Sequence, residues 1–160
     1  MKKIFTIALC TVIAFTVNAQ KKESSSQKFS FGVGPVLAMP TSTGYSFGYG
    51  AEVQATYHAS ENFDAFAQLG FNNFSIKSSF GGGSQGLIPV LVGGRYVSGA
   101  FSAGAGIGFG SFTKGGGSGF MYSPQVGYSF DKMQLILTYS GVSVTGGSFG
   151  FIGLKGFYNF

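Results

Sequence analysis

From Phe29 to the end of the chain, apolar and polar positions alternate with period two almost throughout. This is the pattern of half-buried β-strands, not of helices. Segment 46–58 is the clearest case. Phe47, Tyr49, Ala51, Val53, Ala55 and Tyr57 make one face, while Ser46, Gly48, Gly50, Glu52, Gln54, Thr56 and His58 make the other. The first face is aromatic and aliphatic; the second is small and polar. Six further segments divide in the same way, at 29–37, 65–72, 101–110, 122–129, 133–140 and 152–160. Residues 87–97 are apolar on both parities until Arg95, and there Ile88, Val90, Val92 and Tyr96 are assigned to the apolar face. The count is eight strands of about ten residues, the length a tilted membrane strand requires.

The connections alternate in length. Short ones fall at 59–62, 98–100 and 131–132, and longer ones at 40–45, 75–86, 113–119 and 141–147. Short periplasmic turns opposite longer external loops are the arrangement of outer-membrane barrels, whose chain begins and ends on the periplasmic side. The apolar face carries rings at both strand ends. Tyr57, Tyr96, Phe101, Tyr128, Tyr158 and Phe160 fall towards the short turns, and Tyr45, Phe47, Phe71, Phe109, Tyr122 and Tyr139 towards the long connections. Two aromatic girdles flanking an apolar band place that face outward, against lipid. Pro35, Pro89 and Pro124 interrupt the strand pattern. A closed sheet has no free edge for them, so bulges or early fraying are expected there.

Composition sharpens this picture. Only 9% of residues are charged, against 28 glycines, 19 phenylalanines and 8 tyrosines; a soluble domain carries about 25% charge. Too few charges are present to solvate the surface of a water-soluble barrel with its apolar face turned inward. The aromatic content also argues against glycine-rich disorder. After residue 19 no apolar run reaches the length of a helical span, because glycine and polar residues break every candidate.

Residues 1–19 have the layout of a secretory signal: Lys2 and Lys3, an apolar run over 4–17, then Val17-Asn18-Ala19 before the cut. Cleavage leaves Gln20 first, followed by a polar tail over 20–27 and the barrel over 28–160. Cys10, the only cysteine, lies inside the apolar run behind Leu9 and reads as an apolar filler instead of a lipid-attachment site. The mature chain is therefore expected to have no disulfide and no thiol chemistry. The formal charge of +5 includes the two signal lysines, and the remaining basic residues are scattered. A nucleic-acid footprint needs a clustered basic face, so no nucleic-acid partner is expected.

Candidate chemistry is sparse. The run Gly104-Ala105-Gly106-Ile107-Gly108-Phe109-Gly110 has Phe109 where a dinucleotide fingerprint needs glycine, and no helix pattern follows. It reads as a strand with a glycine face. Thr113-Lys114-Gly115 lacks the order of a phosphate loop and reads as loop punctuation. His58, the lone histidine, falls at the periplasmic end with no nucleophile or carboxylate suggested beside it, and a lone ligand makes no metal site. No catalytic, cofactor-binding or metal-binding residue is assigned, no cofactor is expected, and an enzyme is disfavoured. Glu52, Lys155 and Arg95 face the lumen by parity. Charges in a narrow interior need partners, and counting from the short turns puts Glu52 level with Lys155 and Arg95 nearer the periplasm. The glycine face of 104–110 is expected to be covered by Phe66, Phe151, Phe157 or the arm of Lys155, which would leave no continuous channel.

The last segment, Phe151-Ile152-Gly153-Leu154-Lys155-Gly156-Phe157-Tyr158-Asn159-Phe160, resembles the C-terminal assembly signal of outer-membrane barrels. Phe160, Tyr158, Leu154 and Ile152 match its alternating apolar face, while Gly156 departs from it. Together with Ile88-Pro89-Val90-Leu91-Val92-Gly93-Gly94-Arg95-Tyr96, it is similar to the small porin-family barrels of Bacteroidota, and the architecture resembles the OmpA and OmpX type. This resemblance implies an all-β, eight-stranded antiparallel up-and-down transmembrane barrel in the outer membrane of a Gram-negative cell. It implies lipid and the barrel assembly machinery as partners, and no second, peptidoglycan-binding domain is expected. The function expected is a non-enzymatic, monomeric barrel with a filled lumen, acting structurally or through its external loops. The alternative is a porin-like conduit, or a binding pocket for a small or apolar molecule.

Overall fold

The alternation seen along the chain becomes, in a computed structural model, a set of strands that pair only with their sequence neighbours until the last meets the first. The structure describes residues 28–160; the signal segment, its cleavage site, Cys10 and the polar tail lie outside the described residues. The strands are β1 (Phe29–Pro40), β2 (Tyr45–Ser60), β3 (Phe63–Ile76), β4 (Ser84–Ser98), β5 (Phe101–Phe112), β6 (Ser118–Phe130), β7 (Met133–Val144) and β8 (Gly147–Asn159). All neighbours are antiparallel, and β1 closes onto β8 to make a closed barrel. Closure matters because it removes the unpaired edges that an open sheet would expose.

Parity decides which side chains face in. Val53, Leu69, Val90, Val92, Ile107, Val126, Leu137 and Leu154 are exposed on the outer surface, while Glu52, Gln54, Gln68, Leu91, Gln125, Thr138 and Lys155 are buried in the lumen. Rings cluster at the strand ends as expected, with Phe101 against Tyr128 at 4.9 Å and Phe29 against Tyr57 at 4.8 Å between centroids. Tyr45 is the exception. The β2–β3 register shifts between Tyr45 and Gly48, and this bulge turns Tyr45 inward, where its ring meets Phe149 at 4.9 Å. A one-residue insertion exchanges the two faces, so Tyr45 leaves the outer girdle.

The short turns are 61–62, 99–100 and 131–132, the first two tighter than the sequence pattern indicates and the third as expected, and Asp131 takes the left-handed conformation at φ 52° that Asp tolerates better than most residues. At the opposite end the strands also run longer than the sequence pattern indicates. The connections there are 41–44, 77–83, 113–117 and 145–146. The long connection expected at 141–147 is thus corrected to a tight turn, with Val144 paired to Gly147. Pairing continues there because Phe149 and Phe151 project inward and give those positions something to bury against.

The prolines are accommodated without the bulges or fraying expected from sequence. Pro35 stays opposite Ala51 of β2, but the ladder towards β8 is broken between Val33↔Tyr158 and Val36↔Lys155. Pro89 stays opposite Gly110 and opens the ladder towards β3, and Pro124 stays opposite Ala105 and opens the ladder towards β7. A strand residue bonds to one neighbour only, so the missing N–H of proline costs one side of the sheet. Register resumes unchanged beyond each gap. At the third gap the Thr138 hydroxyl donates to the Pro124 carbonyl at 3.0 Å.

Candidate functional site

An eight-stranded barrel leaves an interior just wide enough for side chains, so what fills it determines whether anything passes. The end opposite the short turns is closed by an apolar plug. Phe74 lies at its centre, with ring centroids of Phe149 at 4.8 Å and Phe151 at 5.1 Å, and Leu87, Leu91, Met121 and Val142 complete the packing. Each such aromatic pair contributes about 0.5–1.5 kcal/mol beyond burial. Phe74 and Phe149 lie just beyond the strand limits read from sequence; continuing the period-two count through them would have found both.

Below the plug runs one continuous polar network. Lys155 Nζ is 2.7 Å from Glu52 Oε2 and donates to Gln68 Oε1 at 3.1 Å, while Asn72 donates to Glu52 Oε1 at 2.9 Å. Gln68 passes the chain to Gln54 at 2.8 Å, and Gln54 donates to Thr56 and Gln134. Arg95 donates to Gln134 and Thr56 as well, at 3.2 and 2.9 Å, and lies over the Phe66 ring at 5.0 Å from its centroid. Two carboxylates, Glu52 and Asp64, balance two cations, Lys155 and Arg95. Neutrality of this kind is what burial in a narrow lumen demands. The expected Glu52–Lys155 pair is present, and Arg95 takes the lower position expected of it.

Its partner there is Asp64, Oδ2 of which is 3.5 Å from Arg95 Nε. Asp64 also accepts from His58 Nδ1 at 2.7 Å, and Ser30 Oγ is 3.2 Å from His58 Nε2. His58 was expected to stand alone, and the structure corrects this. Asp64 has the inward parity of Phe66 and Gln68 but sits one residue before the strand start read from sequence. The three side chains come from β1, β2 and β3, whose registers put Ser30 opposite Thr56 and His58 opposite Asp64. The order serine–histidine–aspartate has the connectivity of a hydrolase triad. A hydrolase also needs preorganised donors at the oxyanion, commonly including the amide of the nucleophile or its neighbour. His58 N donates to Lys28 O; the alternation of antiparallel pairs then commits the Ser30 amide to Thr56. This cluster reads as a clamp joining three strands at the barrel mouth. Among the described residues, no group of three or more His, Cys, Asp or Glu is placed to hold a metal ion.

The glycine face of β5 is covered, though not by all the groups expected. A Cβ on Gly106 would meet the Phe66 ring at 3.3 Å, and one on Gly110 would meet Leu87 and Val142 at 3.0 and 3.1 Å. At Gly104 and Gly108 the neighbouring β4 backbone itself occupies the space. The arm of Lys155 goes to Glu52, not to the stripe, and neither Phe151 nor Phe157 is among the nearest atoms to it. At the short-turn end the lumen is open, as a cavity of about 720 Å³ bounded by Arg95, Gln54, Gln134 and the turn residues.

No family model and no curated protein matches the chain. Among solved structures it is similar to Ail, the attachment invasion locus protein of Yersinia pestis, at 12% identity and TM-score 0.60, covering 82% of this chain and 97% of that one. It is also similar to the N-terminal β-barrel domain of Pseudomonas aeruginosa OprF, at 11% identity and TM-score 0.56, over 82% and 97% of the two chains. Neisserial surface protein A aligns at 12% identity and TM-score 0.52, over 85% and 98%. At such identities the likeness is one of fold: a closed, eight-stranded antiparallel barrel of the transmembrane outer-membrane kind.

Proposed function

We propose that this protein is a non-enzymatic barrel of the Gram-negative outer membrane, with a lumen plugged against passage and a structural or surface-interaction role. The observation that carries this reading is the apolar plug set over a charge-balanced polar network, inside a wall whose outer face is apolar. An apolar exterior suits hydrocarbon, and a filled interior suits a wall element better than a conduit. Loop 77–83, the longest external connection, carries the exposed Phe80 and is the part best able to meet another molecule. Ail and the neisserial protein are named for attachment and for the cell surface, which supports that side of the reading. Export by a signal peptide cut after Ala19, action as a monomer and kinship with the Bacteroidota porin-family barrels belong to the same proposal. The pattern of residues 1–19 supports the signal peptide, and that of the terminal strand supports the kinship. No nucleic acid is among the proposed partners.

The test has two readouts on the protein purified from membranes. The unheated sample should run faster on SDS gels than the boiled one, because a closed barrel resists the detergent. Added to planar bilayers, it should produce no discrete conductance steps. Steady single-channel currents would replace the plugged wall element with the porin-like conduit.

Assembly offers a second check. Phe160 ends the alternating outer face of β8, and its backbone exchanges hydrogen bonds with Phe31 across the closing seam, at 2.9 and 3.4 Å. Deleting Phe160 should lower the amount of heat-modifiable barrel severalfold while synthesis is unchanged. Normal levels of folded protein would remove the assembly machinery from the proposed partners.

A further inference from the structure

On the outer wall near the short turns, two neighbouring rows of cross-strand partners border an open groove of about 460 Å³. The upper row is Tyr96, Ala103, Val126, Leu137 and Leu154, each opposite the next from β4 to β8. The lower row is Ser98, Phe101, Tyr128 and Leu135. Ser102 and Gly127, opposite each other between the rows, form the floor. The space exists because Ala103 is short between Tyr96 and Val126. The Phe101 and Tyr128 rings pack edge to face on each other, with centroids 4.9 Å apart, and do not close over it. The groove is also slanted. Ser98 ends β4 at the turn, whereas Leu154 lies well inside β8. It therefore opens at the level of the short turns and rises into the apolar band.

Its size falls within the roughly 300–1,000 Å³ of ligand sites. The outward side chains around it are apolar apart from Ser98 at the low end and the hydroxyls of Tyr96 and Tyr128. A hydrocarbon chain suits such walls, whereas a polar ligand would lose hydrogen bonds there. Charge at this end of the barrel is sorted as well. Lys28, Glu61, Asp64, Arg95 and Asp131 all line the lumen mouth. Lys132 does not. It is exposed on the turn joining the two strands that carry Tyr128 and Leu135, and it is in no ion pair among the described residues. An apolar groove rising from a lone outer cation suits an amphiphile with an anionic head. A second copy of this chain fits less well, since its own carboxylates at this end line the mouth and leave nothing to set against Lys132.

We propose that this groove holds one acyl chain of a periplasmic-leaflet glycerophospholipid, with the lipid phosphate on Lys132. The proposal rests on the reading of the outer face as a membrane wall and names a lipid site on it.

Native mass spectrometry of the mature barrel, released from detergent micelles containing dioleoylphosphatidylglycerol, tests it. One lipid should stay bound under activation that strips the others. Ala103→Phe fills the groove from the wall and should lower that retention severalfold. Ala67→Phe, at another exposed alanine of the wall outside the groove, should not. Lys132→Gln should lower retention severalfold too, yet leave unchanged that of dioleoylglycerol, which lacks the phosphate. All three variants lie outside the lumen and should keep the heat-modifiable gel shift; if Ala103→Phe fails to assemble, Lys132→Gln decides alone. Equal retention by the unchanged protein and Ala103→Phe, or an equal loss in Ala67→Phe, would overturn the proposal, because the lipid would then be part of a general annulus. An unaffected Lys132→Gln would overturn it too, as would dioleoylglycerol held as firmly as the phospholipid, or a dimer that Ala103→Phe dissociates. A barrel that keeps its gel shift but retains no lipid would defeat this proposal alone, whereas loss of the gel shift in the unchanged protein would defeat the membrane wall itself.

Discussion

Replacing Glu52 with glutamine should destabilise the barrel by about 3–5 kcal/mol, the cost of breaking a buried ion pair from one side. Lys155 lies 2.7 Å from that carboxylate, and both side chains are 1% exposed, so bulk water cannot solvate the ammonium group once the charge opposite is lost. Its second acceptor, the side-chain Oε1 of Gln68, is neutral and cannot balance it. Combining Glu52→Gln with Lys155→Met removes the stranded charge. The double variant should therefore recover much of the loss, since replacing both members of a buried pair costs far less than removing one. The amide oxygen of the introduced glutamine would still accept from Asn72, which keeps that part of the network closed. The measurement is the temperature at which the fast-migrating gel band disappears, with urea unfolding in detergent to set the energy scale. Additive losses in the two single variants would mean that the pair contributes nothing specific.

Gly34→Ala should be nearly as damaging, although it adds a single methyl group. Gly34 sits on the closing seam, inside the ladder gap that Pro35 opens between β1 and β8. A Cβ there would overlap the Gly156 carbonyl oxygen and lie 2.6 Å from its carbon and 3.0 Å from Phe157 Cα. All of these are backbone atoms, so no side chain can swing aside, and the two strands would have to part where the barrel closes. The cost should reach the top of the ~1–3 kcal/mol range of overpacked interiors, seen as a lower melting point of the gel shift and slower assembly. Gly156 is the control. A Cβ at that position points outward and meets Leu135 at an ordinary 3.6 Å, so Gly156→Ala should change stability by less than about 0.5 kcal/mol. Equal effects of the two alanines would show that the seam is looser than its geometry implies.

Most of the fold was legible from residue parity alone. In a strand, successive side chains project to opposite faces, so the alternation around Val53 or Leu137 already assigns Glu52, Gln54 and Thr138 to the interior. Counting residues from the short turns was also enough to bring Glu52 and Lys155 together, because ladder pairing transmits height from strand to strand. Where the pattern stopped short, it was for want of contrast. Asp64, Phe74 and Phe149 carry the correct parity, but at the strand ends the apolar and polar faces no longer differ clearly in composition.

The tertiary structure alone decided what depends on register, closure and competition for space. The bulge that turns Tyr45 inward is invisible to an alternation rule, since one inserted residue exchanges the faces without changing composition. The clamp of Ser30, His58, Asp64 and Arg95 draws on four strands, and their meeting depends on how those strands are staggered around the ring. The proline gaps required knowing which neighbour each missing N–H would have faced. The direction of the Lys155 arm, to Glu52 rather than the glycine face of β5, follows from the energetics of burial. A charge in a closed lumen goes to the opposite charge within reach, and Phe66, Leu87 and Val142 fill what remains. Parity is a property of single residues along one strand, so the chain states it locally; the filling of the lumen depends on all eight strands at once and exists only when the barrel is closed.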